Sequence, residues 1–313
     1  MFPSFDSRGE PNGAEFDYIW TCLPSSAQVG PMMNFKAAFL LIPPVAIAMA
    51  GCSSVPLKDA GTLSTYRNLG PATGNTSKSR TFVDKNELIN VRTVNISPTG
   101  YGFDAGAQIK APQDRALVSN AINRSLCIAL SSKYQIVPID QPADLTIKAV
   151  ISDVVPTNKA VAGISKVASL GSSAAIGFGI PRLPIGFGGL AVEGEAIDAY
   201  GVQRAAIIWS RGANSFTTGA RLSDVGDAYS LASSFGDQFA AMLKDGRPPG
   251  DFKISLPSTD QIKATLGGRP KYAACEAFGG TKGLIGVVAG GLGAPPSWTD
   301  RAGVAPTKVP NIQ

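Results

Sequence analysis

The stretch Leu145-Thr146-Ile147-Lys148-Ala149-Val150-Ile151-Ser152 constrains the fold of this chain more than any other. Successive side chains of a strand point to opposite faces, so Leu145, Ile147, Ala149 and Ile151 share one face, and a half-buried strand is expected. Pro156 ends it. Farther on, Leu190 to Ala199 places Val192, Gly194 and Ala196 on one side and Glu193 and Glu195 on the other. Gln203 to Arg211 offers Ala205, Ile207 and Trp209 as a matching face, and Tyr200-Gly201 supplies the turn of a hairpin. Phe82 to Ile96, with Ile89, Val91 and Val94, is expected to add a strand.

Two segments carry the helical period instead. From Asp114 to Tyr134, Val118, Ala121, Ile122, Leu126, Ala129 and Leu130 recur at spacings of three and four, and Pro112 fits a first turn. Asn120, Asn123, Arg124, Cys127 and Ser131 fall on the opposite face. A second helix is expected from Asp224 or Asp227 to Leu243, with Leu231, Phe235, Phe239 and Met242 on its stripe and Gly246 and Pro248 as its stop. Both stripes need cover. The expected fold is α+β, a small mixed or antiparallel sheet of about four strands with the two amphipathic helices on one face, a Gly-rich insertion and an irregular C-terminal tail.

Near the start, Met33-Asn34-Phe35-Lys36 precedes the apolar run Ala37 to Ala48 and then Met49-Ala50-Gly51-Cys52-Ser53. A short basic end, an apolar run and small residues before a cut are the parts of a secretion signal. The ending resembles the lipobox of bacterial lipoproteins, which implies cleavage before Cys52, a lipid on its thiol and an acyl group, such as palmitate, on its freed amine. Ser53, rather than Asp, next to that cysteine implies the outer membrane. The run is too short to span a bilayer, and Pro43-Pro44 would break a buried helix.

The chain then divides into residues 1–31, a mis-assigned extension; 32–51, the signal peptide; 52–80, a flexible tether rich in Ser, Thr and Gly; 81–245, the α+β domain; and 246–313, a Gly/Pro-rich tail. Without residues 1–51 the chain loses Arg8, Lys36 and four acids, leaving 26 bases against 19 acids, a net of +7. The bases are scattered, so nucleic acid is not an expected partner.

The sequence of 313 residues contains no histidine, which removes Ser-His-Asp and Cys-His catalysis and every His-ligated metal site. The four cysteines, at 22, 52, 127 and 275, form no CxxC pair. No lysine has serine three positions before it, and no phosphate-binding glycine loop sits between a strand and a helix. No metal or cofactor is expected.

Ala143-Asp144-Leu145 through Ile151-Ser152-Asp153-Val154-Val155-Pro156-Thr157-Asn158, together with Gly61-Thr62-Leu63-Ser64-Thr65-Tyr66 and Glu193-Gly194-Glu195-Ala196-Ile197-Asp198, resembles the bacterial lipoprotein family catalogued as the domain of unknown function 3313. The resemblance covers residues 60–245 and implies location and fold, with no activity attached. Tyr200-Gly201-Val202-Gln203 departs from the Asp-Ser-x-Thr-Gly turn common in that family.

Glu193 and Glu195 are the candidate chemical pair, because carboxylates on one side of a strand approach the separation used in glycoside hydrolysis. The plainer expectation is that they form the wet face of their strand. Asp153 and Asp198 are expected to serve turns. Cys127 points away from its helix stripe, and in an oxidising periplasm it is expected to bond Cys275, with free thiols or pairing to another chain as alternatives. Residues 161–190 carry only Lys166 and Arg182 as charges, which suits a mobile insertion or an adhesive surface for an envelope partner, another copy or lipid. Gly286 and Gly290 make a GxxxG spacing in a run too short to span a bilayer.

The expected protein is therefore a lipid-anchored outer-membrane lipoprotein facing the periplasm, with a binding or scaffold role and no catalysis. The alternatives are an accessory subunit of an envelope secretion or export complex, and a peptidoglycan-directed hydrolase using Glu193 and Glu195.

Overall fold

The computed structural model describes residues 55–164, 167, 185–215, 218–249, 259–301 and 303. Residues 1–31, the signal segment 32–51, Cys52 and most of 161–190 lie outside them.

The alternating segments form the centre of a seven-stranded mixed sheet. Its strands are β1 (Ser77–Val83), β2 (Thr93–Ile96), β3 (Gly100–Tyr101), β4 (Gln135–Ile136), β5 (Leu145–Val155), β6 (Gly189–Asp198) and β7 (Gln203–Gly212). The order is β1-β7-β6-β5-β2-β4, with β3 also paired to β5. β1, β7, β6 and β5 run antiparallel in turn, whereas β2 and β3 pair with β5, and β4 with β2, in parallel. The hairpin is present as expected: Val192 opposes Trp209, Gly194 opposes Ile207, and Gly201 turns with φ +82°.

Helix α3 (Pro112–Leu130) and helix α4 (Gly226–Asp245) lie on one face of this sheet, after the short helices α1 (Lys85–Leu88) and α2 (Phe103–Gln108). Pro112 opens α3, and Gly246 closes α4 in the left-handed conformation. Val118, Ile122, Leu126 and Leu130 of α3 and Leu231, Phe235, Phe239 and Met242 of α4 join Leu145, Ile147, Ile151, Val192, Ile207 and Trp209 in one buried core. Gly194 lets the two phenylalanine rings reach the sheet, since a Cβ there would stand 3.0 Å from both Phe235 Cζ and Phe239 Cε1.

Four expectations are corrected. The sheet has seven strands, not about four, because β3 and β4 are two residues long and β1 begins inside the segment read as a tether. Phe82 to Ile96 is not one strand: Asp84 accepts from the Glu87 N–H and caps a turn of helix between β1 and β2. Residues 55–76 are no free tether, because they pack across the sheet face opposite the helices, where Leu63 meets Ala206 and Ile208 with Leu57, Tyr66 and Leu69 around them. The C-terminal segment carries regular structure: helix α5 (Thr259–Thr265), a 3₁₀ turn (Ala273–Phe278), the β8–β9 pair (Gly280–Thr281 with Asp300–Arg301), helix α6 (Gly283–Gly291) and helix α7 (Pro296–Thr299).

Candidate functional site

Glu193 and Glu195 stand on the sheet face away from α3 and α4, as their alternation requires. They are not wet: Glu193 is 1% exposed and Glu195 4%. A buried carboxylate is costly unless hydrogen bonds replace its water, and the strap at residues 60–66 provides them. Glu193 Oε1 accepts from the Ala60 N–H at 2.6 Å. Its Oε2 accepts from the Thr62 N–H at 3.1 Å, from Thr62 Oγ1 and from the Tyr66 hydroxyl at 2.7 Å. Glu195 accepts from the Ser64 N–H at 2.8 Å, the Ser64 hydroxyl at 3.0 Å and Gln203 Nε2 at 2.9 Å.

The strap's own sequence sets this up. Alternate residues Thr62, Ser64 and Tyr66 turn hydroxyls toward the sheet, and Gly61, at φ +76°, lets the flanking Ala60 and Thr62 amides converge on one carboxylate. The Leu63 N–H donates to the Tyr66 oxygen, which orients the hydroxyl as a donor to Glu193. Burial, reinforced by the Glu193 charge, pushes the Tyr66 phenol above its ordinary range. The arrangement fastens the strap to the sheet, and it leaves the carboxylates engaged rather than presented to a substrate.

Asp198 takes the expected turn role, whereas Asp153 lies within β5 and serves no turn. Asp198 Oδ1 accepts from the Tyr200 and Val202 amides at 2.9 Å each, holding the hairpin turn, and its Oδ2 accepts from Arg204 Nε at 2.7 Å. Asp153 accepts from the Val154 N–H at 2.8 Å beside a bulge in β5.

A second constellation lies where the C-terminal segment crosses α3. Cys127 and Cys275 are disulfide-bonded, with their Cα atoms 5.7 Å apart. Cys127 is fully buried rather than exposed, because the C-terminal segment covers the helix face opposite the sheet. One turn earlier, Arg124 Nη2 donates to the Tyr229 hydroxyl at 2.9 Å and to Asp300 Oδ2 at 3.0 Å, while the Tyr229 hydroxyl donates to Asp300 Oδ1 at 2.6 Å. Burial opposes the charge on Arg124, but Tyr229 and Asp300 outweigh it and raise its pKa. Burial also pushes the Tyr229 phenol up to about 12. A cavity of about 280 Å³ lies beside this network, lined by Arg124, Arg269, Glu276, Arg301 and the Gly279–Gly280 backbone. Among the described residues, no group of three or more Cys, Asp or Glu is arranged to hold a metal ion.

Sequence reasoning found the two glutamates but not their partners, since Thr62 and Ser64 read as tether composition. It missed the Arg124–Tyr229–Asp300 triad as well. The available signal was the placement of Arg124 and Cys127 one helical turn apart on the same polar face.

A mixed sheet with two helices on one face and a hydroxyl-rich strap bonded to a Glu-Gly-Glu strand on the other defines a small α+β domain of strapped-sheet type. The family model described as "Protein of unknown function (DUF3313)" matches residues 58–239, and the chain belongs to that family. The match opens at Lys58 and so includes the strap with the domain. No curated protein sequence matches the chain. Among solved structures, the PelC dodecamer from Paraburkholderia phytofirmans is 11% identical, with 53% of this chain and 96% of that chain covered and a TM-score of 0.32. A variant PelC dodecamer from the same organism is 11% identical over 51% of this chain and 95% of that chain, with a TM-score of 0.30. Both scores are too low to equate the folds.

Proposed function

We propose that the chain is a lipoprotein, held by lipid on Cys52 at the periplasmic face of the outer membrane, whose strapped domain binds or scaffolds and does not catalyse. The observation that carries the reading is the position of Val55. Three residues after the lipobox-like Met49-Ala50-Gly51-Cys52, Val55 is already buried against Gly189, so the fold takes up the chain directly after the expected cleavage point. The Cys127–Cys275 bond suits an oxidising compartment. The engagement of Glu193 and Glu195 by the strap supports a structural rather than a hydrolytic role for them.

Metabolic labelling with radioactive palmitate in a Gram-negative host tests this. Wild type is expected to take up label and fractionate with the outer membrane, and Cys52→Ala is expected to lose both. Absence of label from wild type, with product in the cytosol, overturns the proposal.

A further inference from the structure

Helix α6 is built inside out. Its inward positions are glycines: a Cβ on Gly286 would stand 2.7 Å from the Thr299 carbonyl oxygen, and one on Gly290 would stand 2.8 Å from Arg221 Nη2. Its large apolar side chains point the other way. Leu284, Val288 and Leu292 form one exposed row at a spacing of four, and Ile285, beside them, is 83% exposed. Trp298, just beyond, is 71% exposed. The helix carries no charge, and Lys282, exposed, stands at its start.

This face continues toward the point where the chain enters the fold. Leu222, itself exposed, donates its N–H to the Gly293 carbonyl at 2.9 Å. A Cβ on Gly163 would stand 2.8 Å from Leu222 Cδ2, and Ile164 next to it is exposed. The Asn158 N–H donates to the Gly186 carbonyl at 3.0 Å, and three residues past Gly186, Gly189 is packed on Val55. The apolar face and the entry of the chain therefore lie at the same end of the sheet.

We infer that the face made by α6, Trp298, Leu222 and Ile164 lies on the surface of a phospholipid bilayer. The inference rests in part on the lipidation of Cys52. Three residues span at most about 10 Å, so a lipid at Cys52 would hold this end of the domain against the membrane instead of letting it stand off. An uncharged row of leucine, isoleucine and valine enters the boundary between headgroups and acyl chains, and a tryptophan favours the same depth. Lys282 at the rim would meet anionic headgroups.

The test uses the mature lipidated protein in vesicles of phosphatidylethanolamine with a minority of phosphatidylglycerol, prepared with and without brominated acyl chains. Co-flotation reports the anchor, and Trp298 emission reports the face, with Trp298→Phe assigning the signal against buried Trp209. Trp298 is expected to shift to the blue and to lose about half its emission to brominated lipid. Ile285→Ser with Val288→Ser is expected to float equally while losing that quenching. Flotation without any change at Trp298 overturns the inference and leaves the anchor standing. A blue shift without quenching by brominated lipid, the signature of a second copy or a protein partner on the face, overturns it too. Loss of flotation in wild type marks failure of the Cys52 reading, and the inference falls if Trp298 is then unquenched with vesicles added.

Discussion

The Tyr66 hydroxyl donates to Glu193 Oε2 at 2.7 Å across 127 positions of sequence, and this contact joins the strap to the central strand of the sheet. Tyr66→Phe keeps the ring and removes the donor, and a hydrogen bond to a charged group contributes about 1.5–3 kcal/mol. A fall in unfolding free energy of that size is expected in urea melts. Glu193→Ala also strands the Ala60 and Thr62 amides, so it is expected to cost more, and the two changes together less than their sum. Strict additivity would contradict the contact.

Gly194 faces Phe235 and Phe239, and Gly194→Ala places a methyl about 3.0 Å from both rings, so each must give by a few tenths of an ångström. Overpacking of this kind costs about 1–3 kcal/mol. Thermal melts are expected to show the loss, and Phe239→Leu is expected to recover part of it. Stability unchanged by Gly194→Ala would mean that both rings yield to the added methyl without cost.

The Cys127–Cys275 bond closes a sequence separation of 148 residues. Removing such a link from a folded domain costs about 2–5 kcal/mol. Cys275→Ser is expected to lower the urea midpoint and to expose the C-terminal segment to limited proteolysis between 259 and 301, with cuts rare in wild type until a reductant is added. Non-reducing peptide maps that show both thiols free would remove the link.

Asp144 accepts from the Arg92 and Thr93 amides at 2.8 and 2.9 Å, which fixes the parallel register of β2 on β5. These two hydrogen bonds hold its carboxyl below the ordinary 3.8. A depressed folded pKa adds stability that is present above 3.8 and lost as pH falls through the lower folded value. Acid titration of the urea midpoint is expected to show a drop below pH 3.8 in wild type that is smaller in Asp144→Asn. Equal slopes in the two proteins would contradict this role.

The parts of the fold legible in the sequence are those with one apolar face and one purpose. β5, the β6–β7 hairpin, α3 and α4 were expected close to where they lie, because Leu145 to Ile151 and the Phe235–Phe239 stripe bury against each other and nothing else decides their period. The strap was illegible. Ser, Thr and Gly read the same whether their hydroxyls meet water or buried carboxylates, so only the structure separates a tether from the donors of Glu193 and Glu195. β6 misled for the same reason: a strand buried on both faces still alternates when one of its faces is closed by hydrogen bonds instead of oil. Cys127 was expected at an exposed position because stripe counting registers only the sheet side of α3, whereas a second layer some 150 residues later in the chain covers the other.

The intact mass of the protein purified from Gram-negative membranes tests the central claim most directly. A chain beginning at Cys52 and carrying a diacylglyceryl group and an amide-linked acyl group is predicted, with both additions absent from Cys52→Ala. A mature chain that retains residues before Cys52, or begins elsewhere without acyl groups, would contradict it.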